Sequence, residues 1–158
     1  MAKTQNPTAA SRYFDGVRKS LERARTLASI ATTVSTECDG VGAMRYDRPE
    51  TGHAKGGAVS IDALDHLVSR LDDTRARAEE AKVAAAESVN ECAAVLVHMA
   101  ETPDADVKGV AALHAYYLRG YDDEAVSRML HVGRSAACKI RRRGLVASEP
   151  YLAAAGLI

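Results

Sequence analysis

From Ser60 to Thr102 the chain runs without a proline or glycine, and its apolar residues recur at steps of three, four or seven: Ile61, Leu64, Val68, Leu71, Ala78, Ala81, Ala85, Val89, Cys92, Leu96 and Met99. That period paints one face of an α-helix and fits no strand. At 1.5 Å per residue it predicts one helix about 65 Å long. Ser60 is placed to cap it, with Asp62 in the first turn. A helix of this length with an apolar seam needs a partner, either another helix of the same chain or the same helix of a second copy.

The first 35 residues supply a candidate. Asn6-Pro7 is a plausible helix start. Phe14, Val17, Leu21, Ala24, Ala28 and Ala31 then alternate steps of three and four, widened by Leu27, Ile30 and Val34. This predicts a helix of about seven turns. From Thr36 to Gly57 the pattern stops, and Gly40, Gly42, Gly52, Gly56, Gly57 and Pro49 read as a long loop. Residues 1–102 therefore read as an antiparallel, coiled-coil-like helical hairpin with a glycine-rich loop at 36–57.

Aromatic residues make up 4% of the chain, with one Phe and no Trp, so material for strands is scarce and an all-α fold is expected. No apolar run approaches the roughly 18 residues of a membrane span, and Met1 to Ala10 lacks the apolar core of a signal peptide. The expected location is the cytoplasm, away from the membrane. Cys38, Cys92 and Cys138 form no C-x-x-C pair, and no two of the five histidines lie three or four residues apart. Free thiols, no metal and no cofactor are expected. No nucleophile, base and acid set emerges at a useful spacing, and the glycine-rich segment lacks a phosphate-cradling pattern, so an enzyme is not expected.

Net charge is zero, but the charges are segregated along the chain. Ser60 to Thr102 holds nine acids against four bases, whereas Gly133 to Ala147 holds Arg134, Lys139, Arg141, Arg142 and Arg143 with no acid. A local basic face is what phosphate contacts require.

That basic stretch lies in a carboxy-terminal module, residues 103–148. Pro103 ends the long helix, and Asp104 is placed to cap a new one carrying Val107, Val110, Leu113, Tyr117 and Leu118 up to Gly120. Asp122 to Leu145 then reads as two short helices joined by a four-residue turn, the length of a helix-turn-helix. Val126 and Ser127 would be buried on the first helix, Leu130 and Val132 would bracket the turn, Ala137 and Ile140 would face the core, and Gly144 would end the second helix. At 100° per residue this points Ser135, Lys139 and Arg142 outward and turns Arg141 back, toward a phosphate or an intramolecular acid. Arg134, Ser135 and Lys139 are the candidates for reading base edges, Arg142 and Arg143 for holding phosphates of double-stranded DNA. Residues 149–158 read as an apolar tail.

The stretch YYLRGYDDEAVSRMLHVGRSAACKIRRRGL resembles region 4 of sigma-70 factors and the carboxy-terminal part of phage-encoded transcriptional regulators of the ArpU and RinA kind. Tyr117, Leu118, Arg119 and Gly120 match the tract leading into the motif, and Arg134, Ser135 and Lys139 match its recognition helix. A related phage family also joins a long helical hairpin and glycine-rich loop to this ending. The sequence departs from the pattern at His131, where the turn usually has Gly, at Ser127 in place of Ala, and at Ala137 in place of Val. The resemblance implies a phage or prophage regulator of transcription in a bacterial host cell, acting at DNA or beside RNA polymerase; a homodimer through the hairpin is a separate option, left open by its apolar seam.

A second reading makes the hairpin the working surface, binding or inhibiting a host protein or nucleoprotein complex in the manner of an anti-defence protein. A third, weaker one is a small terminase subunit, which also joins such a module to coiled segments.

Overall fold

The computed structural model describes residues 7–46 and 61–158, with side chains over 7–36 and 65–158. These residues form five α-helices and no strand: α1 (Ala9–Tyr46), α2 (Ile61–Glu101), α3 (Val107–Leu113), α4 (Asp123–Met129) and α5 (Arg134–Ala154). A π-helical turn, His114–Leu118, continues α3. The all-α expectation holds. The chain divides into two compact units, Met1–Glu22 with Ala84–Ile158, and Arg23–Val83.

The apolar seams do what their spacing implies. In the first unit Ala10, Phe14 and Val17 of α1 share one buried cluster with Cys92, Val95, Leu96 and Met99 of α2. In the second, Leu27, Ala31 and Val34 are half-buried, Ala78 is buried, and Arg75 donates to Ser35 Oγ at 3.2 Å. Early α1 thus meets late α2, and later α1 meets earlier α2, the pairing of a helical hairpin. The seams are narrower than their sequence pattern, because Ala28, Ile30 and Val68 are exposed.

Several helix ends fall elsewhere than expected. Thr8 closes the start of α1 by accepting from Ser11 N–H at 3.2 Å, and the expected cap Asn6 lies outside the described residues. The loop expected from Thr36 begins no earlier than residue 47, since α1 continues through Gly40 and Gly42 to Tyr46. A glycine costs a helix only about 1 kcal/mol, too little to end one by itself. The rest of the glycine-rich segment and the expected cap Ser60 lie outside the described residues. Asp106, not Asp104, caps α3 by accepting from Gly109 N–H at 3.1 Å.

The largest correction concerns α5. It does not end at Gly144 but runs through Pro150 to Ala154. Gly144 instead lies against Gly109 of α3: a Cβ built there would stand 2.9 Å from the Gly109 carbonyl oxygen. The missing side chain lets two helix backbones cross. An interior proline is unfavourable in a helix, but packing holds the final turns in place. Leu152 is fully buried, Leu157 packs on the same cluster, and Tyr151 Oη meets Thr102 Oγ1 at 2.9 Å. Residues 149–158 are therefore tied to the core through Tyr151, Leu152 and Leu157 and are not a free tail. Likewise the packing does not divide at 102/103, because Leu113, Tyr117, Leu145 and Leu152 join the α1–α2 cluster.

Two buried weak acids give this core a pH signature. Burial pushes the Cys92 thiol from its ordinary 9.0 up to about 12. Burial and the nearby Cys92 and Glu91 raise the Tyr13 phenol from 10.0 to about 12, and among the described residues its hydroxyl has no hydrogen-bond partner. Both groups stay protonated in the folded state at pH values where the unfolded chain ionises them. Their contribution is fully present below about pH 9 and is lost as pH rises toward 12. Thermal midpoints should accordingly be flat from pH 7 to 8.5 and fall between pH 9 and 11. A Cys92→Ala variant should show a shallower alkaline fall.

Candidate nucleic-acid interface

Asp122 starts α4, its carboxylate accepting from Ala125 N–H at 2.7 Å, with Asp123 and Glu124 in the first turn where acids suit the helix dipole. Val126 of α4 packs with Ala137 and Ile140 of α5 and with Ala112 and Ala115, while Leu130 and Val132 flank this second cluster from the turn. Ser127 is buried where the pattern has Ala, and its hydroxyl donates to the Glu124 carbonyl at 2.8 Å, so the substitution leaves no unpaired group. This is the helix-turn-helix packing that the spacing implies.

The turn has a backbone feature of its own. His131 N–H donates to the Arg128 carbonyl at 3.2 Å and Val132 N–H to the Ser127 carbonyl at 3.0 Å, the paired bonds of a Schellman motif. That motif puts His131 at φ +53°, in the left-handed region, where a side chain costs about 1–2 kcal/mol. The turn position that glycine usually fills thus keeps its left-handed backbone.

The five candidate contact residues fall into two groups. Arg134, Ser135, Lys139 and Arg142 are exposed on α5, and among the described residues none of the three cations meets an acid within ion-pair distance. Arg143 is exposed but engaged, its guanidinium 3.1 Å from Asp106 Oδ2. Lys139, Arg142, Arg143, Val146 and Ala147 line one shallow depression on α5. Val146 extends the outward stripe of Ser135, Lys139 and Arg142 by one turn and is an exposed apolar residue.

Arg141 points inward, as its helical angle requires, and of its two expected partners it takes the intramolecular acid. It bridges Asp123 at 3.0 Å, donates to Tyr117 Oη at 3.3 Å and stacks 3.9 Å above the Tyr116 ring. Burial works against its charge, but Tyr117 and Asp123 outweigh that and raise its pKa. Arg18 of α1 covers the same Tyr116 ring at 4.3 Å, so one aromatic ring holds two guanidinium groups. The π-helical turn carries both tyrosines. Tyr117 is buried against Phe14, ring centroids 5.2 Å apart, and burial raises its phenol pKa.

Two residues on this side were not singled out by the sequence. Arg128, exposed on the last turn of α4, precedes the turn into α5; the helical spacing of α4 marks its buried side and not this residue. Asp106 became relevant only once α3 was folded against α5. Among the described residues no group of three His, Cys, Asp or Glu could hold a metal ion, and no helix is long and apolar enough to cross a membrane. No family model, curated protein or solved structure matches the chain.

Proposed function

We propose that the protein binds double-stranded DNA through α4 and α5, with the amino-terminal half of α5 in the major groove. The observation that carries this reading is the pairing of a packed helix-turn-helix with an outward α5 face of Arg134, Ser135, Lys139 and Arg142, a helix with no acid before Glu149. The α5 amino terminus also has no side-chain cap, leaving its first N–H groups and positive dipole end open to a phosphate. In this reading Arg134, Ser135 and Lys139 read base edges, while Arg142 and Arg143 hold phosphates, Arg143 by exchanging Asp106 for the backbone anion. Together with the likeness to sigma-70 region 4 and to ArpU- and RinA-type regulators, this makes the protein a phage or prophage regulator of transcription. RNA polymerase is its natural protein partner, and the hairpin offers a surface for self-association.

The test is binding to the DNA upstream of the protein's own coding sequence and to an unrelated duplex, across a salt series. Arg142→Ala should weaken binding to both duplexes and lower the salt slope by about one unit, since each phosphate contact releases a counterion. Arg143→Ala should act in the same direction with a smaller loss, because its cation is already partly neutralised by Asp106. Arg134→Ala or Lys139→Ala should narrow the gap between the two duplexes by roughly 1–3 kcal/mol. Absence of wild-type binding to either duplex at low salt removes this reading and favours a hairpin that binds a host protein.

A further inference from the structure

The chain uses the left-handed backbone region at three described positions, and at two of them it places glycine, Gly120 at φ +75° and Gly156 at φ +69°. Gly156 is the closest control for the third. It closes α5 with the same pair of bonds that closes α4: Gly156 N–H to Ala153 O at 3.0 Å and Leu157 N–H to Leu152 O at 2.9 Å. In that motif the chain spends a glycine at the end of α5 and a histidine, His131, at the end of α4. Glycine enters this conformation freely, whereas a side chain is strained there.

Nothing in the fold repays the strain. The imidazole of His131 is exposed and, among the described residues, makes no hydrogen bond, ion pair or ring contact. Its neighbours Leu130 and Val132 do the packing of the turn. What distinguishes the position is its place, between exposed Arg128 on the last turn of α4 and exposed Arg134 on the first turn of α5. Local strain that packing does not repay collects at functional positions.

We propose that His131 is itself a nucleic-acid contact, its imidazole N–H donating to a backbone phosphate beside the groove that α5 enters. The proposal rests on the DNA-binding reading and adds the turn to the contact surface. A phosphate contact from this side chain is independent of base sequence, so its loss weakens binding to every duplex alike.

Two variants separate the imidazole from the backbone. His131→Gly relieves the strain and should melt above the wild type. His131→Ala keeps the strain and should melt close to it. Both should lose roughly three- to tenfold in affinity for the upstream and the unrelated duplex alike, the net worth of one hydrogen bond. Affinity then follows the imidazole while stability follows the backbone. Wild-type affinity in both variants overturns the proposal. So does a loss confined to His131→Gly, which would assign the effect to a loosened turn. A wild type that binds neither duplex removes the DNA-binding reading and this contact with it, a result distinct from a wild type that binds and variants that bind equally well.

Discussion

Phe14→Ala should cost about 3–5 kcal/mol, the range for removing a fully buried aromatic ring, and this is a large fraction of the 5–15 kcal/mol that holds a typical domain together. Phe14 has no exposed surface, and it is the chain's sole phenylalanine. It joins three elements: it shares the buried cluster with Cys92, Val95, Leu96 and Met99 of α2 and lies against Tyr117 of the π-helical turn. Chemical denaturation should show the midpoint falling by about a fifth or more. Tyrosine near-ultraviolet dichroism should weaken in the same transition, because the ring partner of Tyr117 is gone. A variant with the parent's midpoint would mean that α1 does not anchor this core.

Gly144→Val should be the other severe substitution, by a different mechanism. The added Cβ would stand 2.9 Å from the Gly109 carbonyl oxygen and 3.1 Å from its carbon, and both are backbone atoms that no rotamer change can move. Overpacking of this kind costs typically 1–3 kcal/mol and sometimes more, and a β-branched side chain adds further crowding in a helix. Separating α3 from α5 also strains the Asp106–Arg143 pair that spans the crossing. Gly16 supplies the opposite sign: nothing lies within 4 Å of a Cβ built there, so Gly16→Ala should stabilise α1 by about 0.5–1 kcal/mol. Equal effects of the two substitutions in a denaturation series would remove the crossing from the account.

These two glycines show where sequence was legible and where it was not. Apolar period alone places Phe14, Val17, Cys92, Leu96 and Met99 in the core, and the spacing of Val126, Ala137 and Ile140 implies the helix-turn-helix packing. The same geometry turned Arg141 inward, because angle around a helix depends on the local backbone alone. The meaning of a glycine does not. Gly144 looks like a helix stop until Gly109, from another element, is seen against it, and Gly40 and Gly42 look like loop until α1 is seen to continue past them. Caps fail for a related reason: Asp104 and Asp106 are equally good residues two positions apart, and only the path of the chain after Pro103 selects the second. For the candidate interface, Arg134, Ser135, Lys139 and Arg142 could be assigned from one helix, whereas the engagement of Arg143 depends on an acid 37 residues away.

The shared ring of Tyr116 bears on how such a chain can change over generations. It is covered by guanidinium groups from Arg18 and Arg141, residues separated by most of the chain's length. In the DNA-binding reading proposed above, a helix-turn-helix looks like a cassette that could be exchanged to alter target preference. Here the cassette is not free to travel. A new carboxy-terminal third joined after residue 102 would have to bring a ring that fits Arg18 and apolar side chains that fit Phe14, or arrive with the beginning of its own α1. Variation at the candidate interface is therefore easiest by point substitution on the outward face of α5, where Ser135, Lys139, Arg142 and Val146 make no contact that the core depends on.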